Sequence, residues 1–168
     1  MTFLTKMEID RFNRLIKQHK WDDAAVYGKQ LLEKDPRDGS GIRYGVMDAY
    51  AVLGNSVAAE KLAQRYSENS TNHECWFETL DDVMLLQLAM AYWKDDCKEK
   101  AIKMLKTLPE YGKEYLSMSK AKINSVKTRL DTQTGYSPCT VEAYVECIAI
   151  PYEDQALFRT WYNETVTG

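Results

Sequence analysis

Glycine, proline, cysteine and histidine are scarce in this chain, whose 168 residues include 8 Gly, 4 Pro, 4 Cys and 2 His. Because β-branched runs are also rare, this scarcity of turn-forming residues favours helices over a sheet of many short strands. No apolar run approaches the ~20 residues that a membrane-spanning helix needs. The first residues, MTFLTKMEID, lack the apolar segment and cleavage site of a signal peptide. We therefore expect a cytoplasmic protein with no membrane segment.

Cysteine and histidine also lack the spacing that catalytic or metal sites require. The cysteines, none of which belongs to a C-x-x-C pair, are Cys75, Cys97, Cys139 and Cys147. The stretch His73-Glu74-Cys75 contains the residue types of an activated nucleophile, but neighbours in sequence rarely face each other productively. No glycine-rich phosphate loop is present. The sequence therefore predicts a protein that is not an enzyme, with reduced thiols, no metal and no cofactor.

Apolar residues are plentiful enough for a folded core, at 45% hydrophobic against 28% charged. These proportions predict one compact domain or one short repeat array. The net charge of −3 argues against bulk nucleic-acid binding. Between residues 98 and 130, however, nine Lys or Arg stand against three Glu. This stretch is either a basic patch for an acidic partner or nucleic acid, or a set of lysine stems that cover the margin of an apolar stripe.

The central stretch from Ile42 to Tyr66 predicts a pair of helices. In the first helix, residues 42, 46, 49, 50 and 53 are apolar and share one face at helical spacing. Gly54 ends that helix, because glycine takes the left-handed conformation without a Cβ penalty. The second helix places Val57, Ala59, Leu62, Ala63 and Tyr66 inward. Such a pair cannot bury both apolar faces alone, so it requires a similar pair on each side.

The flanking sequence supplies those pairs, with an internal repeat in register at Ala24, Ala59 and Ala101. The separations are 35 and 42 residues, and in this register Leu15, Tyr50 and Tyr92 coincide. This pattern resembles the tetratricopeptide repeat, a helix-turn-helix with a tyrosine or leucine late in helix A, a small residue early in helix B and a closing proline. The resemblance covers Lys6 to Pro109. The run from Pro36 to Tyr44 and the later Gly135-Tyr136-Ser137-Pro138 are similar to small bacterial proteins of this superfamily.

Beyond Pro109 the period is lost. Residues Tyr111 to Leu130 predict one longer helix, and Ser137 with Pro138 predicts the start of another. A last helix near Glu153 to Thr165 carries Ala156, Leu157, Phe158, Trp161 and Tyr162 on its apolar face. We expect an all-α, single-domain fold. Residues 1–110 form three TPR-like helix pairs in a right-handed superhelix, and residues 111–168 form C-terminal capping helices on the same array.

The resemblance implies a protein-protein interaction module that binds a peptide or partner protein through the concave face of its A helices. In the family register the groove would present Lys6, Ile9, Asn13, Lys17, Tyr44, Asp48, Val52, Leu86, Met90 and Lys94. The lysine, asparagine and arginine clamp of the chaperone-binding members is absent, since only Asn13 matches it.

Two alternatives to an open concave groove remain. In the first alternative, the C-terminal helices fill the groove with Phe158, Trp161 or Tyr162. The other alternative is a regulatory or nucleic-acid-associated protein that uses the basic helix 113–129. Nucleic acid is the less favoured partner, and a homodimer is left open.

Overall fold

The structure, a computed structural model, describes residues 3–67, 76–132 and 140–167. Within these ranges it contains ten α-helices and no β-strand, which confirms the predicted all-α class. The helices are α1 (Lys6–Lys17), α2 (Trp21–Lys34), α3 (Ile42–Leu53), α4 (Ser56–Tyr66), α5 (Asp82–Lys94), α6 (Lys98–Leu105), α7 (Glu110–Ser117), α8 (Lys120–Asp131), α9 (Val141–Cys147) and α10 (Tyr152–Thr165). A short 3-10 helix (Trp76–Thr79) precedes α5.

The turns inside the first three helix pairs repeat the same geometry. In each turn a residue one or two positions after the first helix is left-handed, at His19 (φ 55°), Gly54 (φ 69°) and Asp96 (φ 59°). The following amide closes the turn by donating to a carbonyl five residues back, in the bonds Lys20 N to Leu15 O, Asn55 N to Tyr50 O and Cys97 N to Tyr92 O. These acceptors are the three residues that the sequence register aligned. The internal repeat is therefore present at the level of the backbone, although glycine occupies the left-handed position once.

The aligned alanines Ala24, Ala59 and Ala101 are each 0% exposed. Each lies in the first turn of the second helix of its pair, and its amide donates to the residue that precedes that helix. A second helix packs on its own first helix and on the first helix of the next pair, as α2 does on α1 and α3 and α4 does on α3 and α5. A small side chain is required where helices approach this closely.

Replacing Ala59 or Ala101 with leucine should lower the free energy of unfolding by roughly 1–3 kcal/mol, because a fully buried methyl leaves no room for three further carbons. Ala121→Leu on the exposed face of α8 is the control and should change little. Urea denaturation followed by circular dichroism measures all three variants. Unchanged midpoints for both buried positions would show that the register is wrong.

The first two pairs are joined through Phe12, whose ring fits between two glycines. A Cβ on Gly28 would lie 2.7 Å from the Phe12 ring, and a Cβ on Gly45 would lie 2.6 Å from it. Real Cβ atoms do not approach this closely, so α1, α2 and α3 meet at this ring because both positions lack a side chain. The core formed here includes Ile16, Trp21 and Val46.

Some helix boundaries differ from the sequence prediction. The predicted helix 111–130 is wrong as a single element, because Met118 and Ser119 separate α7 from α8. Ser119 accepts from the Lys122 amide as an N-cap, a signal that the sequence contained. Asp81 caps α5 by accepting from the amides of Val83 and Met84. The predicted start at Ser137 and Pro138 lies outside the described residues, and α9 begins after Thr140.

Four side chains placed on apolar faces by the sequence are exposed instead: Leu53, Val57, Ala156 and Leu157. Val57 lies in the first turn of α4. Leu157 is 75% exposed because α10 is rotated so that Gln155 and Arg159 are buried beside Phe158 and Tyr162. Polar residues on that buried face were not expected.

Candidate partner-binding clefts

A short segment between α9 and α10, residues 148–151, lies against the face of α3 that was predicted to be a groove. We call this segment the strap. The Ala149 amide donates to Asp48 Oδ2 over 2.8 Å, and Gln87 Nε2 donates to Asp48 Oδ1 over 2.8 Å and to the Tyr44 carbonyl over 2.8 Å. Asp48 and Gln87 are both fully buried. The strap is therefore attached to α3 and α5 by a buried polar cluster.

Asp48 has no cation among its hydrogen-bond partners. Burial raises the pKa of its carboxyl from 3.8 to about 7, although the bonds from Ala149 and Gln87 act in the opposite direction. Near neutral pH the group is thus divided between a neutral acid and a carboxylate. Either form accepts the Ala149 hydrogen bond through Oδ2.

Helix α10 covers a second part of the same face. Its Phe158 ring packs edge-on against the Trp93 ring of α5, with centroids 5.6 Å apart. The ring centroids of Trp161 and Trp93 lie 6.3 Å apart. Phe158 and Trp161, two of the aromatic residues that the sequence named as possible fillers of the groove, therefore pack on α5. Tyr162, the third aromatic residue named for this role, is also buried.

The prediction that a groove presents Asp48 and Met90 is wrong, because they are 0% and 5% exposed. Leu86 is buried as well. Tyr44 is half-buried and its hydroxyl donates to Asp81 Oδ2 over 2.6 Å. The remaining predicted residues are half-buried or exposed, namely Lys6, Ile9, Asn13, Lys17, Val52 and Lys94. The strap and α10 cover this face, which accounts for the burial of residues that were predicted to line an open groove.

An apolar cleft remains beside the strap, between α3, α5 and α10, with a volume of about 280 Å³. Val52 and Trp93, both half-buried, line it together with the buried Met90 and Phe158, and the exposed Leu157 stands beside them. Lys94 contributes positive charge on the α5 side, and Glu153 and Asp154 contribute negative charge on the α10 side. Val52, Met90 and Lys94, three of the predicted groove residues, are brought together here.

A polar cleft of about 400 Å³ lies on the other side of the strap, between the end of α1 and helices α8 and α9. Lys17, His19 and Lys127 line it together with Asp131 and Glu146. His19 stacks on Trp21 with ring centroids 5.5 Å apart, which holds the imidazole at the mouth of the α1–α2 turn. Both charge signs are present, so the cleft does not select one kind of ion.

The basic stretch is divided by the break between α7 and α8, and several of its cations are paired. Lys113 contacts Glu110, Lys120 contacts Glu153, and Arg129 Nη2 lies 2.7 Å from Glu142 Oε1. Exposed pairs of this kind contribute little stability, but they reduce the positive charge that a polyanion would meet. Lys122 and Lys127 have no such partner among the described residues.

The sequence did not single out Gln87 or Arg159. Both are buried, Gln87 next to the strap and Arg159 next to α7. A signal was available for Gln87: α5 is apolar around its whole circumference, which indicates a helix covered on all sides. The two thiols in the described ranges, Cys97 and Cys147, are half-buried.

Compared with protein-family models, curated proteins and solved structures, the chain shows no significant match to any of the three. Within residues 3–67, 76–132 and 140–167, no cluster of His, Cys, Asp or Glu is arranged to hold a metal ion. In the same ranges none of the helices has both the length and the apolarity to cross a bilayer.

Proposed function

We propose that this chain is a protein-interaction module that binds a short peptide segment of a partner protein in the apolar cleft between α3, α5 and α10. The observation that carries the proposal is the exposure of Leu157, 75% accessible, next to Trp93 and Val52, which are half-buried and line the cleft. Exposed apolar side chains grouped around a concave surface are typical of peptide-binding sites.

The charges at the cleft define the peptide further. Lys94 stands on the α5 side, and Asp154 stands on the α10 side. Neither belongs to an ion pair among the described residues, so each is available to a partner. The site therefore suits an apolar anchor residue with an acidic residue on one side and a basic residue on the other.

The finer fold assignment belongs to the same proposal. We propose that the three helix pairs form a TPR-like right-handed superhelix in a cytoplasmic protein, with the C-terminal helices on its inner face. The equal turns at 19, 54 and 96 and the buried aligned alanines support this assignment. Nucleic-acid binding by the 113–129 region is not carried forward, because no feature of the divided and partly paired cations favours it.

Selection of random peptides displayed on phage tests the proposed site. We expect enriched peptides with one apolar anchor between charges of opposite sign, and at least about tenfold weaker binding to Leu157→Asp, since a carboxylate would be desolvated against the anchor. Val26→Asp is the matched control, because Val26 is a similarly exposed apolar residue on α2. No enrichment, or peptides that bind Leu157→Asp as tightly as the wild type, would overturn the proposal.

A further inference from the structure

A second groove, formed by α2, α3 and α4, has a different chemistry from the cleft at α10. Its volume is about 430 Å³, and its accessible apolar surface is supplied by Val57 and Leu62, next to the buried Leu32 and Val46. Val57 is 63% exposed although it is aliphatic. This groove is therefore an apolar surface that the described part of the chain leaves uncovered.

All the charged residues that line this groove are cations, namely Lys29, Lys61 and Arg65. Arg65 is held in place, because its Nη2 donates to the Leu32 carbonyl over 3.0 Å. Lys29 and Lys61 are exposed and form no ion pair with the described residues. The nearest acid on α4, Glu60, accepts a hydrogen bond from Tyr92 on α5 and so points away from the groove.

Polar groups in the groove add to its preference for an anion. The half-buried Tyr50 lines it, and the Tyr50 hydroxyl has no hydrogen-bond partner among the described residues. Asn55, Val57 and Ala58 at the start of α4 line it as well, so the positive end of that helix dipole faces the same space. The three cations, the Tyr50 hydroxyl donor and the positive end of the α4 dipole all favour a negatively charged ligand.

We propose that the α2–α4 groove binds an acidic peptide segment of another protein that carries an apolar anchor residue. Charge complementarity identifies the occupant as acidic, because the groove is lined by cations alone in a chain whose net charge is −3. The apolar surface distinguishes a peptide from nucleic acid. Val57 and Leu62 offer aliphatic contact to a side chain, whereas bases stack on aromatic rings.

Fluorescence anisotropy of a labelled peptide tests this assignment. The probe is a peptide of Asp and Glu around a central Leu-Phe pair, and its matched control has Ser-Gly in place of that pair. The full-length protein should bind the Leu-Phe peptide more tightly by about tenfold, because the pair is buried against the aliphatic surface. Rising salt should weaken both complexes.

Charge reversal locates the site. Lys61→Glu should weaken binding by at least about tenfold, since it replaces an attraction with a repulsion. Lys122→Glu on α8 makes the same change in net charge at an exposed position away from the groove and should bind as the wild type does. Leu157→Asp should also retain binding, so this proposal and the proposed function fail separately.

Three results would overturn the inference. The first is equal affinity for the Leu-Phe and Ser-Gly peptides, and the second is an equal loss in Lys61→Glu and Lys122→Glu. The third is a labelled oligo-dT that binds more tightly than the peptide and is lost in Lys61→Glu, which would assign the groove to nucleic acid.

Discussion

Arg159→Ala should lower the free energy of unfolding by about 3–5 kcal/mol, because it removes the donor for several buried carbonyls and leaves a cavity. Arg159 is 4% exposed. Its Nη1 donates to the carbonyls of Tyr115, Leu116 and Met118 over 2.9, 3.0 and 3.3 Å, and its Nε donates to Gln155 Oε1 over 3.1 Å. These carbonyls end α7, and helix ends buried without donors are unstable.

The Arg159 guanidinium is stabilised without a carboxylate, since no acid among the described residues pairs with it. It lies 4.6 Å from the Tyr115 ring centroid and 4.9 Å from that of Tyr152, so two aromatic rings and the carbonyl end of α7 surround the charge. Lysine at this position would keep the charge but lose the planar fork that reaches the α7 carbonyls through Nη1 and Gln155 through Nε. The free energy of unfolding of Arg159→Lys should therefore lie between those of the wild type and Arg159→Ala.

Arg129→Ala is the control for removal of an arginine, because Arg129 forms an exposed ion pair with Glu142. Its loss should cost less than about 1 kcal/mol. Equilibrium unfolding in urea gives both free energies. If Arg159→Ala were no more destabilised than Arg129→Ala, the hydrogen bonds to α7 would be unimportant for stability.

The repeat region was predictable because its signals are local. Gly54 ends α3, Pro36 follows α2, and the alanines recur at the same point of each pair, so each element can be placed from a few neighbouring residues. His19 and Asp96 take the left-handed position without being glycine, so glycine alone marks only the second of the three turns.

The strap and α10 were not predictable in detail because they depend on distant contacts. Ala149 and Asp48 are 101 positions apart in sequence, and no local pattern indicates that they meet. Arg159 would have been assigned to solvent on an ordinary amphipathic helix, and its burial requires α7 to end at Ser117. The apolar circumference of α5 was the accessible clue that the face predicted as a groove is covered.

Asp48 should make stability fall as pH rises through the neutral range. In the unfolded chain the carboxyl has a pKa near 3.8, whereas burial raises the folded value to about 7. Between these two values the folded protein holds a proton that the unfolded chain has released. The free energy of unfolding therefore decreases with pH in this window. The contribution of the buried neutral acid is complete below about pH 4 and is lost as pH rises through about 7.

Comparison with Asp48→Asn isolates this contribution, because asparagine has a similar shape and does not titrate. Other carboxylates contribute equally to both proteins, so the difference between their unfolding free energies follows Asp48 alone. From pH 5 to pH 8 the wild type should lose on the order of 2 kcal/mol relative to Asp48→Asn. Urea denaturation at several pH values measures this difference, and parallel profiles for the two proteins would contradict the prediction.

Hydrogen exchange gives a local test of the same prediction at the strap. The Ala149 amide donates to Asp48 Oδ2, so the cost of burying a carboxylate above pH 7 should favour local opening of residues 148–151. The protection of the Ala149 amide is compared with that in Asp48→Asn at each pH, because this comparison cancels the intrinsic base dependence of exchange. The relative protection in the wild type should fall between pH 6 and pH 8. Because the strap covers the face on which Leu86 and Met90 are buried, the same opening would expose an apolar surface that is closed at lower pH. Constant relative protection would show that the strap is held independently of the charge on Asp48.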